Sequence, residues 1–298
     1  MIAGSVIIGP DLRLSSMPGL LRLARPLNCM MSAMGVGIGA VVAVGAGAWG
    51  EFAVPVALAA SAAASFTAGG NALNDIYDRD TDAINHPERP LPSGLIALSS
   101  AKAFGFGAFA VAAILAIFVN FLALAIVTIN AALMFAYESR LKARGAPGNV
   151  VVALLVGSLF VFGGVAVYRD STDPLVRSGF LASLAFLATL GREITKDIED
   201  MRGDVDRRTL PQQIGARSAG IVAAVALLVG VGWSLLPLFQ RILFVGTGHL
   251  AYAALVMPAD GIFIYAAIHS AANPARSQRV TKYGMIVALA AFLAGAFL

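Results

Sequence analysis

The chain has 298 residues, 58% of them hydrophobic and only 13% charged, with a mean hydropathy of +0.81 and a formal net charge of +4. That balance excludes an ordinary soluble domain, and the basic pI of about 9.5 fits charge placed in membrane-protein loops better than nucleic-acid binding. One cysteine, Cys29, excludes an intramolecular disulfide.

The first apolar stretch, residues 2–9, is short and has no basic residue before it, unlike a cleavable signal. An amphipathic lead-in carrying Arg22 and Arg25 follows, and Pro26 opens a first span over roughly 27–48. Apolar runs near 20 residues then predict spans at roughly 52–73, 100–118, 120–136, 150–168, 175–195, 216–236, 241–272 and 280–298. The eighth is too long for one straight crossing, and Pro258, Asp260 and Gly261 predict a break inside it. The glycine-rich stretches at 35–47 and 163–164 read as close helix packing. The expected fold is thus a single all-α polytopic membrane domain, 1–298, of about nine transmembrane helices. With the N-terminus inside, 18 of the 21 basic residues fall on the inner side, and only Arg169, Arg177 and Arg241 fall outside. The loops following even-numbered spans then face the cytoplasm.

Two of those loops carry the chemistry. Residues 69–94 place Asp75, Asp78 and Asp82 at spacings of three and four, and residues 191–215 repeat this with Asp197, Asp200 and Asp204. On a helix each set shares one face. Each is followed by Arg-x-Leu-Pro, at Arg89–Pro92 and Arg208–Pro211, and together the stretches hold 11 of the 17 acidic residues. They lie four spans apart, which points to two repeated four-helix halves with a ninth helix appended.

Facing carboxylates repel unless cations join them. Magnesium suits such a set, because it takes one or two carboxylates and lets a substrate's phosphates supply further oxygens. Arg79, Arg89, Lys142, Lys196 and Arg208 are placed to bind phosphate oxygens, and the amides of Asn71 and Asn74 to complete a metal shell at low charge cost. An isoprenyl diphosphate meets these demands, its tail lying along apolar helices. Metal and cations would stabilise the departing pyrophosphate and leave an allylic cation. Tyr77 and Tyr137 are either faces for that cation or interfacial anchors. Asp80, Glu199 and Asp206 read as solvated, and Glu138 with Arg140 as a loop pair. His86, His249 and His269 are scattered, which argues against a histidine metal site.

The motifs resemble those of the UbiA superfamily of intramembrane prenyltransferases. Residues 74–82, NDIYDRDTD, fit its first motif, residues 200–204, DMRGD, its second, and YESRLK at 137–142 its intervening tyrosine–lysine segment. The RPLN at 25–28, the GGNALND at 69–75 and REITKDIEDMRGD are most similar to the branch that builds archaeal ether lipids. The resemblance implies nine helices around a central cavity open sideways to lipid. It also implies two Mg²⁺ ions bridging geranylgeranyl diphosphate. Asn74, Asp75 and Asp78 would serve one side, Asp200 and Asp204 the other, and Asp82 and Asp197 would support them. Lys142, Arg79 and Lys196 would neutralise phosphate, with Tyr137 near the allylic carbon. The acceptor would be the glycerol hydroxyl of geranylgeranylglyceryl phosphate, its phosphate held by Arg22 or Arg25 with Asn28. Two other readings stay open on the residues alone. One is an aromatic acceptor such as 4-hydroxybenzoate in a quinone pathway. The other is a cation- or proton-coupled transporter using the acids as its site.

Overall fold

The computed structural model describes residues 17–201, 208–239, 243–244 and 247–298. Residues 2–9, Asp204, Asp206 and Arg241 therefore lie outside the described residues.

A short helix α1 (Met17–Ala24) precedes α2 (Pro26–Val44), and a 3₁₀ segment (Ala46–Phe52) leads into α3 (Ala53–Tyr77). Then come α4 (Arg79–Asn85), α5 (Leu98–Val119), α6 (Phe121–Ala136), α7 (Ala146–Ala166) and α8 (Asp173–Asp200). After the second motif come α9 (Leu210–Ile214), α10 (Ala216–Ser234), α11 (Leu236–Phe239), α12 (Gly248–His269) and α13 (Pro274–Phe297). Nine helices among the described residues are long and apolar enough to cross a membrane, matching the predicted count: α2, α3, α5, α6, α7, α8, α10, α12 and α13, with short extensions of α3, α6 and α10.

Each spanning helix packs on the next, and α13 packs back on α2, so the ring closes in chain order. The interior holds small side chains, including Ala40, Ala59, Ala62, Ala112 and Ala116, each fully buried, whereas Phe106, Phe118, Ile221, Ile268 and Ile286 point outward. Lipid is as apolar as leucine, so burial alone does not drive these helices together, and small residues allow the close approach that does. One close approach is between α2 and α7, the first helices of the two four-helix halves. A methyl group at Gly39 would overlap the Phe160 carbonyl, and one at Gly163 would overlap the Val36 carbonyl.

The eighth span differs from expectation. It is shorter than 241–272, and α12 runs without interruption through Pro258. An internal proline is tolerated in membrane helices. Here Ser234 at the end of α10 donates to Asp260 (2.9 Å), and the Tyr252 hydroxyl donates to the Ser234 carbonyl (2.8 Å). The carboxyl that marked a break in the sequence is instead a buried tie between α10 and α12.

Candidate active site

The first acidic motif sits where α3 ends and α4 begins. Asp78 is the junction, with φ −86° and ψ 2°. Its amide still donates to Asn74 O (2.9 Å), and Asp82 N donates to Asp78 O (2.7 Å), so the helical ladder continues through the bend. The three carboxylates stay close but take different partners. Asp75, 2% exposed, is ion-paired with Arg25, and Arg89 spans Asp82 (2.6 Å) and Asp75 (3.8 Å). Asp78 turns to the other side and accepts from Lys142 Nζ (2.6 Å).

The delivery of Arg89 follows from its neighbours. Leu91 packs with Leu23, Ala72 and Ala101, and Ser93 N donates to Arg89 O (3.0 Å), so the RPLPSG tail folds back over α3. Arg25 is delivered by backbone shape: at φ 52° and ψ 71° it is the one non-glycine left-handed residue described, sitting between α1 and α2. Such conformations cost of order 1 kcal/mol or more and persist where surroundings impose them. Asn71 donates to Ala24 O (2.8 Å), bracing the same junction.

The segment between the motifs forms a π-helical turn, Tyr137–Leu141, at the end of α6. Such turns recur at functional sites. Here it turns Glu138 inward, in place of the expected loop pair with Arg140. Glu138 is 7% exposed; it accepts from Lys142 Nζ (3.1 Å) and Asn74 Nδ2 (3.0 Å), while Arg140 is exposed. Asn74 Nδ2 also donates to Asp78 (3.1 Å), and Lys142 Nζ lies 6.0 Å from the centre of the Tyr137 ring. Sequence reasoning missed Glu138; its one signal was its place four residues before Lys142, the spacing of a helical ion pair.

The second motif closes α8. Asp197 accepts from Asn149 Nδ2 of α7 (2.9 Å), while Lys196 and Asp200 are exposed at the helix end. Its Arg-x-Leu-Pro tail docks on the first half: Arg208 N donates to Ala143 O (3.0 Å), and Gln213 Nε2 reaches Arg208 O (2.6 Å) and Arg144 O (3.1 Å). The exposed Arg208 therefore stands beside the Lys142 segment. Arg79 points away and pairs with Asp80 (3.0 Å), and Arg22 and Asn28 are exposed at the α1–α2 junction.

An apolar cavity of about 400 Å³ lies along the same helices, between Ile126 and Asn130 of α6, Leu154 and Ser158 of α7, and Ala182 and Phe186 of α8. Leu154 is five residues beyond Asn149, and Phe186 eleven before Asp197. At 1.5 Å per residue the near edge of the cavity lies about 7 Å along α7 from Asn149 and about 16 Å along α8 from Asp197. Among the described residues, no three Asp, Glu, His or Cys side chains converge on one point. That is no cage for a bare ion. The oxygen donors do fit a magnesium ion that shares its shell with phosphates. Asn74 spends both N–H groups on carboxylates, leaving its oxygen unspent, and an ammonium already occupies the cation position beside Asp78.

Comparison with known proteins gives the class. The model of the UbiA prenyltransferase family matches residues 32–295, and the chain belongs to that family. It is a multi-pass membrane prenyltransferase. It is 40% identical to a digeranylgeranylglyceryl phosphate synthase of Methanopyrus kandleri, over 93% of this chain and 99% of that one. A solved structure of digeranylgeranylglyceryl phosphate synthase superimposes with a TM-score of 0.81 at 31% identity, covering 95% of this chain and 99% of the other. A UbiA homologue from Archaeoglobus fulgidus bound to DMAPP and Mg²⁺ has the same fold, with a TM-score of 0.59 at 15% identity over 92% and 99% of the chains.

Lys142→Ala removes one donor aimed at the site and the counter-charge of Asp78. A hydrogen bond to a charged group contributes about 1.5–3 kcal/mol, so the donor KM rises about 10- to 100-fold. Unchanged donor affinity in a binding assay would take Lys142 out of the site.

Proposed function

We propose that the chain is a digeranylgeranylglyceryl phosphate synthase. It transfers a geranylgeranyl group from its diphosphate to the glycerol hydroxyl of geranylgeranylglyceryl phosphate and forms an ether bond. The observation that carries the reading is the acid–lysine cluster in which Asn74 and Asp78 at the end of α3 meet Lys142, which lies at the end of α6, one of the helices that line the apolar cavity. A diphosphate at the cluster places its isoprenyl tail along that cavity. The M. kandleri relative supports the choice of acceptor by its name, and the A. fulgidus homologue supports a magnesium–diphosphate donor by what it binds.

Asn74 and Asp78 would hold magnesium on one side, and Asp200 and Asp204 on the other, with two ions expected. Asp75, Asp82 and Asp197 support the site from behind, the first two through Arg25 and Arg89 and the third through Asn149. Magnesium, when bound, neutralises charge that builds on the diphosphate as the allylic C–O bond breaks. Lys142 and the neighbouring Arg208 donate to diphosphate oxygens, and the electron pair of the broken bond leaves with them. The Tyr137 ring faces the allylic carbon. An alcohol is a weak nucleophile, so ionisation leads and the glycerol oxygen attacks the cation, releasing its proton. Arg25 is committed to Asp75, which leaves Arg22 and Asn28 to hold the acceptor's phosphate. The basic bias of this end supports a cytoplasmic orientation.

The test is pyrophosphate release by purified protein with Mg²⁺ and geranylgeranyl diphosphate, comparing geranylgeranylglyceryl phosphate, 4-hydroxybenzoate and no acceptor. Release dependent on the glycerol lipid, with the diether product seen by mass, is the expected result. Release with the aromatic acid alone moves the enzyme to quinone synthesis, and no metal-dependent release from folded protein sinks the reading. Filling the cavity is a second check. Leu154→Trp displaces two or three methylenes of tail, at about 0.8 kcal/mol each. Affinity for geranylgeranyl diphosphate then falls about 30-fold, while the ten-carbon geranyl diphosphate is unaffected; an equal loss for both would place the tail elsewhere.

A further inference from the structure

We infer that Glu138 is a positioning residue that aims two groups at the metal–diphosphate: the Asn74 amide and the Lys142 ammonium. This rests on the proposed function above. The residue is buried and its two oxygens are divided between the two groups, Oε1 accepting from Asn74 Nδ2 (3.0 Å) and Oε2 from Lys142 Nζ (3.1 Å).

Consider Asn74 first. Its Nδ2 faces two carboxylate oxygens, one of Glu138 and one of Asp78 (3.1 Å). An ionised carboxylate only accepts, so only the NH₂ end of the amide can face both. The amide oxygen is thereby turned the other way, as a ligand for a cation. Without Glu138 the amide keeps one of its two restraints and can flip, presenting NH₂ groups where an oxygen is needed.

Lys142 is treated likewise. Its ammonium has three N–H donors, and two carboxylates take two of them, Asp78 at 2.6 Å and Glu138 at 3.1 Å. The third is left for a phosphate oxygen. With magnesium bound at Asp78, Glu138 would remain as the anchor that keeps Lys142 in the site and aimed at the diphosphate. The π turn is the backbone device that makes this possible. It sets Glu138 and Lys142 on one inward face at the end of α6, and Lys142 N donates to Tyr137 O (2.9 Å), five residues back.

The experiment uses the full chain in lipid nanodiscs, with Glu138→Gln, Glu138→Ala and Glu138→Asp. Mn²⁺ affinity is read by titration with geranylgeranyl diphosphate present, alongside melting temperature, donor KM and kcat. Loss of a group that orients metal ligands costs typically 10–100-fold in affinity. Glu138→Gln, which keeps size and shape, is expected to melt like the parent yet bind Mn²⁺ about 10- to 100-fold more weakly and show a raised donor KM. Glu138→Asp is expected to recover part of the loss. A double-mutant cycle guards against misfolding of any single variant: Glu138→Gln should add little once Asn74 and Lys142 are both alanine. Folded Glu138→Gln with parental Mn²⁺ and donor affinity, or full additivity in the cycle, overturns the inference. An inactive parent would defeat the proposed function instead, so the two failures are distinguishable.

Discussion

Asp78→Asn is expected to abolish turnover and leave the protein folded. The substitution is isosteric, and an amide oxygen at this position still accepts from Lys142, now at 2.6 Å from the carboxylate. What disappears is the negative charge that, in the proposed reaction, would hold the metal of a metal-bound diphosphate at the end of α3. We expect kcat/KM to fall by at least about 10³-fold, which is about 4 kcal/mol of transition-state stabilisation. Asp200→Asn, at the end of α8, should behave alike. The check is single-turnover pyrophosphate release together with the melting temperature in detergent. Full activity in either variant would remove that residue from the metal site. Asp75→Asn offers the contrast. Asp75 is buried between Arg25 and Arg89, so its loss strips two guanidinium groups of an anion and is expected to lower the melting temperature as well as activity.

The second large effect is on the fold. Gly163→Ala should prevent the protein from accumulating as a folded monodisperse species. The added methyl would meet the carbonyl of Val36 and the amide of Ala40 on α2, backbone atoms that no rotamer change moves. Overpacking in a close-packed interior costs typically 1–3 kcal/mol, and a clash with backbone belongs at or above about 3 kcal/mol. Gly39→Ala meets the backbone of Phe160 and should fail in the same way. Gly37, on the same helix, has nothing within 4 Å of the position its methyl would take. Gly37→Ala should therefore be silent, and size-exclusion profiles of the three variants decide the matter. Parental behaviour of Gly163→Ala would mean that α2 and α7 do not approach as described.

The spans were legible because each had to satisfy a lipid environment with about 20 apolar residues, a constraint written into local composition. The acidic loops were legible as clusters because the carboxylates recur at helical spacing, but the single face that spacing implies was not kept, since Asp78 sits at the α3–α4 junction and turns to Lys142. For the same reason the roles of Asn71 and Arg25 were not visible. Their side chains are spent on Ala24 O and Asp75, partners that only the crossing of α1, α2 and α3 brings within reach. Pro258 misled for a related cause. A helix-breaking residue was read from its own chemistry, whereas α12 continues through it and Asp260 is instead taken up by Ser234 of α10.

Class, span count and the acidic residues of the two motifs thus follow from the order of residues along the chain, because hydropathy and helical spacing are local properties. How the carboxylates divide follows from the tertiary structure. Asp75 and Asp82 take arginines, and Asp78 takes Lys142 with Glu138 behind it, because charge pairing depends on distances between segments that are remote in sequence. Glu138 and Asn74 are 64 residues apart and meet at 3.0 Å, and no local pattern encodes that contact.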